Sequence, residues 1–518
     1  CHTFLLSIAS VRFSAYTRCW NSSTHAMYGI ASSESHRYAF FCFSAFSPKN
    51  RCIHGSVKYS IAIEWISLIS AVLNVCDNTG ILRDAVYASK ACPASWVRTL
   101  TSALVCTLDS LQRKVILLAP TGRAAKVFSG YAEHPAYTIH KKIYRQKVFS
   151  NETDNFVANQ NLHRNTLFIV DEASMIANEG LSGGHFGSGR LLDDLVQYVY
   201  NGLGCRLMLI GDTAQLPPIG EEESPALSVA ALQGYGLEVT ECVLTKVVRQ
   251  TEGSGILSNA TALRERIVNE DFFEYPKICC KNYPDIRILP GSELIEAIDE
   301  CYGHVGLDET IVICRSNKRA SLYNKGIRNT VLYREDELNT GDMLMVAKNN
   351  YFWGTDCKEL DFIANGDVAV VRRIRRVREM YGFRFADVVL AFPDYDGIEL
   401  EVKILLDTLH SELPSLSKEE NDRLFYAVLE DYADLPTKRE RMKKMKEDPY
   451  YNALQVKYAY AVTCHKAQGG QWKRVFLDQG YMTEDMLSPD YFRWLYTAFT
   501  RATELLYLVN WPEEQTEK

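Results

Sequence analysis

The 518-residue chain has no CxxC pair among its 15 cysteines and no Cys/His spacing suited to zinc. A zinc module and a disulfide framework are therefore not expected, and Cys279, Cys280 and Cys301 read as ordinary thiols in a reducing cytoplasm. It also lacks any uncharged apolar run of about 18 residues, so no membrane-spanning helix is expected. The apolar stretch Cys1 to Ile8 has neither a basic leader nor a small-residue cleavage site, which makes it unlike a signal peptide. An excess of positive charge is missing too: the net charge is −7. That removes a chain-wide field for nucleic acid, but a local basic groove is enough to hold phosphates. Finally, no glycine lies between Gly80 and Gly122, and no repeat or low-complexity linker interrupts the remainder.

What is present is globular. A hydrophobic content of 47% with 23% charged residues excludes a disordered or fibrous chain, and the length suggests about three or four folded units. The text changes near Trp96. Before it, the chain is rich in Ser, Cys and aromatics and poor in acids, with little periodicity; Ile61 to Cys76 has the apolar content of a helix but no caps. Residues 1–98 are set apart as a segment that a shifted reading frame or disorder would explain.

After Trp96 the pattern is regular α/β. Leu100, Leu104, Leu108 and Leu111 have helical spacing over Thr99 to Leu111. Lys114 to Ala119, Thr166 to Val170 and Arg206 to Ile210 are continuous apolar runs of the kind buried in parallel sheets. Each ends in a polar turn, which predicts a doubly wound sheet with ligands at its carboxyl edge. Lys142 to Asn161 predicts a hairpin around the turn-rich Asn151 to Asn155. Within about 341–451, the runs Val368 to Val377, Tyr381 to Phe392 and Ile398 to Leu405 predict a small β-barrel, followed by a charged helix from Lys418 to Lys446.

The strongest local signal is FIVDEAS, where an apolar strand ends in Asp171 and Glu172. Paired carboxylates at a sheet edge suit a magnesium shell and a proton acceptor. GDTAQLPPIG follows the third strand and puts the amide of Gln215 beside that pair, with two prolines to stiffen the turn. APTGRAAK opens a helix whose amino terminus and Arg123 suit a phosphate. Taken singly, His140, Arg249, Gln250, Thr463, His465, Lys466, Gln468 and Arg501 would more often be packing or surface groups. The basic run VRRIRRVRE, Val371 to Glu379, reads first as a solvated strand and turn, with binding of phosphate as the second reading.

In order, APTGRAAK, VDEAS, GDTAQLPP, VVRQ, VTCHKAQGGQW and YTAFTRA resemble motifs Ia, II, III, IV, V and VI of superfamily 1 helicases, in the RecD/Dda branch. The resemblance covers roughly Thr99 to Pro512. It implies two RecA-like P-loop NTPase domains: 99–260, with the 142–161 hairpin as a strand-separating pin, and 261–518, with an SH3-like barrel inserted at about 341–451. It implies ATP and Mg2+ as cofactors and Asp171 as the metal ligand, with Glu172, Asp171, Gln215, Arg249 and Arg501 catalytic. Asp171, Gln215, Arg249, Gln468, Gly469 and Arg501 would meet the nucleotide. Pro120, Thr121, Arg123, His140, Thr463, His465 and Lys466 would lie along DNA. Single-stranded DNA and duplex forks are the implied partners of a monomeric, 5′ to 3′ motor.

The same family requires a glycine-rich loop ending in Gly-Lys-Thr/Ser ahead of the Thr99 helix, whose amides and lysine cradle phosphates. Here that place reads YASKACPASWVRTLTSALV, and the strand expected before the loop is not recognisable. Two functions therefore stand side by side: an ATP-dependent DNA helicase, and an ATPase-dead DNA-binding or interaction module of helicase origin. A Pif1-like or UvrD-like helicase is the further alternative.

Overall fold

The computed structural model describes residues 85–90, 95–146, 156–179, 187–243, 253–354, 363–395 and 397–517. Arg249, Gln250, the hairpin tip at 151–155 and the Ile61 to Cys76 stretch lie outside them.

The first sheet is built from β1 (Ala85–Lys90), β2 (Lys114–Ala119), β3 (Ala136–Thr138), β6 (Thr166–Val170), β7 (Arg206–Gly211) and β8 (Glu238–Val243). Its order is β3-β2-β6-β7-β1-β8, parallel throughout. Between β3 and β6, the short strands β4 (Tyr144–Gln146) and β5 (Phe156–Ala158) pair antiparallel as hairpin arms. The helices of this unit are α1 (Ser95–Ser110), α2 (Gly122–Ala132), α3 (Ile139–Ile143), α4 (Leu191–Tyr200) and α5 (Val229–Gln233). The central strands are apolar on both faces because both are covered. Ile116, Leu118, Phe168, Val170, Leu207 and Leu209 pack toward α4, while α1 and α2 pack together over β2 on the other side.

β1 corrects an expectation. A strand ahead of the missing loop is not recognisable in AVYASK, yet it lies between β7 and β8, in register with Leu207 to Gly211 and with Glu238 to Val243. A short, partly polar segment is a weak strand by itself, and hydrogen bonds to two neighbours override that local propensity.

The second sheet contains β9 (Ile286–Leu289), β10 (Thr310–Cys314), β16 (Ala461–Thr463), β17 (Trp472–Asp478) and β18 (Ala502–Val509), in the order β16-β10-β17-β18-β9, again all parallel. Around it lie α6 (Gly255–Val268), α7 (Leu294–Val305), α8 (Asn317–Gly326), α12 (Cys464–Ala467) and α13 (Pro489–Phe499). Helix α6 buries Ile256, Ala260, Leu263 and Ile267 in the same core as the second sheet.

Between α8 and β16 the chain closes a barrel of β11 (Met343–Val346), β12 (Val368–Met380), β13 (Phe383–Phe392), β14 (Ile398–Leu405) and β15 (Leu454–Tyr458). The charged stretch after β14 and α9 (Asp407–His410) is two helices, not one: α10 (Lys418–Glu430) and α11 (Lys438–Lys446). Each starts with its own capping box, Ser417 with Glu420 and Thr437 with Glu440, and Pro436 stands just ahead of the second. The root of the barrel is a buried ion cluster: Asp342 accepts from Arg328, Arg334 and the Tyr460 hydroxyl.

Candidate nucleotide and nucleic-acid cleft

The polar turns gather at the carboxyl ends of the parallel strands, where the helix that follows each strand starts and backbone groups are free to meet a ligand. Asp171 follows β6 directly, and its backbone N–H donates to Leu118 O at 3.0 Å. Its Oδ1 accepts from the Glu172 N–H at 2.9 Å, and its Oδ2 accepts from the Tyr131 hydroxyl at 2.7 Å. Glu172 is left-handed, with φ 53° and ψ 38°. A non-glycine residue held there costs about 1 kcal/mol or more and marks a position whose direction matters. Tyr131, on α2, carries no motif signal.

Gln215 lies in the turn after β7, 9% exposed, and its Oε1 has no hydrogen-bond partner. Ser174 Oγ and, on α1, Thr101 Oγ1 are likewise buried without partners. Three buried polar atoms of this kind are costly unless something else satisfies them.

The second sheet closes on this edge through specific contacts. Leu216 N–H donates to Thr497 Oγ1 at 2.9 Å, and Gln468 Nε2 donates to Leu216 O at 2.8 Å. Asp212 accepts from the Tyr496 hydroxyl at 2.6 Å and forms an ion pair with Arg264. Ala214 and Leu216 are buried in the second hydrophobic core. Gln468 is therefore a cross-link between the sheets here. Arg501 is 3% exposed, and its guanidinium donates to Thr497 O, Gly470 O and Thr500 Oγ1.

The candidate DNA residues fall in two groups. In the first, Thr121 caps α2 by accepting from Ala124 N–H at 3.2 Å, next to Pro120 at the end of β2. Arg123 lies 4.4 Å over the Trp472 ring, with burial lowering its pKa. Gly469 belongs with these: it is left-handed (φ +76°), and a Cβ there would stand 3.2 Å from Ala124 Cβ. In the second group, Thr463 and Lys466 line a small pocket of about 20 Å3 of mixed character, with Lys457, Ser411, Met345 and Val462. Burial and the charge of Lys466 push Lys457 down to about 8, and burial also lowers Lys466 and His465. The Lys457 ammonium donates to Ser411 O at 2.5 Å. His140 stands apart from both groups beside the Tyr144 ring at 5.7 Å, with burial lowering it to about 4.

The barrel touches the same edge. Lys126 donates to Pro393 O at 2.9 Å. A Cβ on Gly122 would stand 2.6 Å from both Asp367 Oδ1 and the Tyr395 hydroxyl oxygen, so only glycine lets α2 come this close.

Comparison with known proteins bears on the family. The model of an AAA domain matches residues 98–275, and that of a UvrD-like helicase C-terminal domain matches residues 458–509. These two stretches carry the acidic edge and the facing sheet. These matches support kinship with superfamily 1 helicases of the RecD type. Among relatives of the chain, the uncharacterized protein R530 of Acanthamoeba polyphaga mimivirus is 22% identical over 463 residues, which is 77% of this chain and 90% of that protein. The ATP-dependent RecD2 DNA helicase of Deinococcus radiodurans is 24% identical over 427 residues, 80% of this chain but 45% of that protein. This chain thus spans less than half of the bacterial helicase. Pif1 helicase from Candida albicans overlays with a TM-score of 0.42 at 14% identity, covering 90% of this chain and 96% of that one. Bacteroides Pif1 in complex with ADP-AlF3 and ssDNA overlays with a TM-score of 0.42 at 13% identity, covering 87% and 94%. Among the described residues, no helix is long and apolar enough to cross a membrane.

Proposed function

We propose that this chain is an ATP-dependent DNA helicase unit that moves 5′ to 3′ along single-stranded DNA and opens duplex. The single observation that carries the reading is the closed edge. Asp171, Glu172 and the unpartnered Gln215 Oε1 sit at the end of one parallel sheet, tied by Leu216 and Asp212 to the second. In this reading 99–260 and 261–518 are two RecA-like domains, the 142–161 hairpin is the pin, and the barrel is the SH3-like insertion. Asp171 would hold Mg2+, while Glu172, Gln215, Arg249 and Arg501 would serve the γ-phosphate. Gln468 and Gly469 would support the nucleotide side from the second sheet. Pro120, Thr121, Arg123, Thr463, His465, Lys466 and His140 would follow the strand.

For ATP with Mg2+ the residues present fit on one side only. The acidic and amide side is complete, but Ala91-Cys92-Pro93-Ala94, between β1 and α1, offers neither glycine amides nor a lysine. That absence supports the second reading, a DNA-binding module of helicase origin without ATPase activity.

One experiment separates the readings. Steady-state ATPase and single-strand binding are measured for the chain as it stands and for a variant with a Gly-x-Gly-Lys-Thr loop grafted ahead of Leu100. The expected result is single-strand binding by both, turnover only in the graft, and loss of that turnover by a hundredfold or more, about 3 kcal/mol, in Glu172→Gln and Arg501→Ala. Turnover of about 1 s⁻¹ by the ungrafted chain would show that nucleotide is held elsewhere. Failure of both proteins to bind single strands would end the motor reading.

A further inference from the structure

Acids slightly outnumber bases overall, for a net charge of −7, yet the distal half of β12 carries Arg372, Arg373, Arg375, Arg376 and Arg378. Successive side chains of a regular strand point to opposite faces, so each arginine doublet should send one guanidinium toward the barrel interior. Two β-bulges prevent this. The β12–β13 register slips between Val371 and Arg373 and again between Ile374 and Arg376. The extra residue at each slip leaves both members of each doublet exposed, while Ile374 between them stays half-buried against the core. Charge on an open strand edge also deters strand addition, and β11 covers β12 only to Val370. That need alone does not account for two bulges phased with the doublets.

The partners of these arginines are weak ones. Arg372 faces Glu399 at 3.7 Å with both side chains more than half exposed, and Arg375 pairs with Glu401 on the surface. Exposed pairs of this kind contribute about 0–1 kcal/mol and exchange readily for phosphate oxygens, which a guanidinium can hold with two parallel bonds. Arg373 and Arg376 make no ion pair or hydrogen bond with the described residues, and Asp387, opposite Arg376 in the ladder, is already paired with Lys403. At the far end of the hairpin, α11 docks through Met442 and Met445 on the small core around Phe383 and Phe385, and adds exposed Lys443 and Lys444. At about 3.3 Å per residue, the strip begins roughly 15 Å from Asp367, where the barrel meets α2, and extends to roughly 35 Å. That is too far for a strand confined to the cleft.

We propose that the outer face of the β12–β13 hairpin binds the sugar-phosphate backbone of nucleic acid, without regard to sequence, outside the cleft between the two sheets. This rests on the nucleic-acid reading above but not on ATP hydrolysis.

The test compares the full chain with Arg373→Glu/Arg376→Glu, a change at two exposed side chains without partners. Affinity is measured between 50 and 200 mM salt for a single strand of about 8 nucleotides, a site size that one cleft can fill. A single strand about five times longer, a fork with a long duplex arm, and an acidic peptide are measured alongside. We expect the short strand to bind both proteins equally and a long ligand to bind the variant at least tenfold more weakly. The slope of log affinity against log salt should fall by about 1.8 if the strip holds duplex, or about 1.4 if it holds the single strand. Whichever long ligand loses affinity identifies the source of the phosphates. Unchanged affinity and slope for both overturns the proposal, as does a loss seen only with the acidic peptide. If the short strand binds neither protein while a long ligand still depends on the arginines, the strip stands and the motor reading falls.

Discussion

Replacing Asp212 by alanine should loosen the union of the two sheets. Asp212 stands on the first sheet's edge with a side chain 7% exposed, and Arg264 on α6 is 14% exposed. The same carboxylate accepts from Tyr496 on α13 at 2.6 Å. Removing one member of a buried pair costs about 3–5 kcal/mol because the other charge stays desolvated. Arg264 keeps other neighbours, so the lower end applies, about 3 kcal/mol. The lost phenol bond falls within that figure, being to the same carboxylate. Pairing Asp212→Ala with Arg264→Met removes both charges and should recover most of the loss. Urea unfolding followed by tryptophan emission provides the four free energies of the cycle, and Trp472 and Trp494 report from the second sheet's side. Because the pair joins two units, the single variant should also separate one transition into two. The reasoning is refuted if Asp212→Ala costs under about 1 kcal/mol, or if the two substitutions add to within about 0.5 kcal/mol.

Three further outcomes are expected. Burial raises the Asp367 carboxyl to about 7 against the Ala364 N–H and Tyr395 hydroxyl bonds that lower it, with Asp394 adding to the rise. Since an unfolded aspartate titrates near 3.9, the folded state holds the extra proton between about pH 4 and 7, and stability falls as pH rises through that window by up to about 1.4 kcal/mol per unit. Asp367→Asn should flatten the melting temperature from pH 5 to 7, and an unchanged slope would assign the titration to another group. Tyr131→Phe removes the 2.7 Å bond to Asp171 and should destabilise by about 1.5 kcal/mol; in the loop-grafted protein it should lower turnover several-fold, whereas unaltered turnover would leave Tyr131 a packing residue. Finally, translating the DNA upstream of the Thr99 codon in all three frames should reveal a glycine-rich loop ending in Gly-Lys-Ser/Thr, and its absence from every frame favours the ATPase-dead reading.

The elements that could be read in advance are those whose burial is symmetrical. KVILLA, TLFIV and RLMLI are apolar at nearly every position because helices cover both faces of the sheet, so β2, β6 and β7 declare themselves locally. AVYASK does not, since β1 is specified by β7 and β8 rather than by its own residues. The 418–446 stretch looks uniform in charge, and only the caps at Ser417 and Thr437 reveal two helices. At the cleft, Asp171, Glu172 and Gln215 stand out because they end apolar strands. Tyr131, Arg264, Tyr496 and Thr497 had no such signal. The Leu216–Thr497 and Leu216–Gln468 bonds join residues 281 and 252 positions apart, and nothing local in either partner encodes the other. In VRRIRRVRE the sequence allows a solvated strand or a phosphate contact, and only the two register slips show how both arginines of each doublet come to be exposed.

The barrel enters and leaves the second sheet's unit through adjacent strands. Leu344 on β11 stands opposite Tyr458 on β15, and Ala459 N–H donates to Met343 O at 2.9 Å, so the two crossings are about 5 Å apart. Seen from the second sheet, everything between them is a closed excursion that a two- or three-residue bridge could replace. The seam, however, runs through the Asp342 cluster, whose Arg328 and Arg334 lie before the excursion and whose Tyr460 lies after it. A cut between Met343 and Ala459 would keep all four side chains but open them to water, where such pairs are worth about 1 kcal/mol or less. The module can thus be transplanted along its backbone but not along its charges: a recipient fold would need its own two arginines waiting at the join.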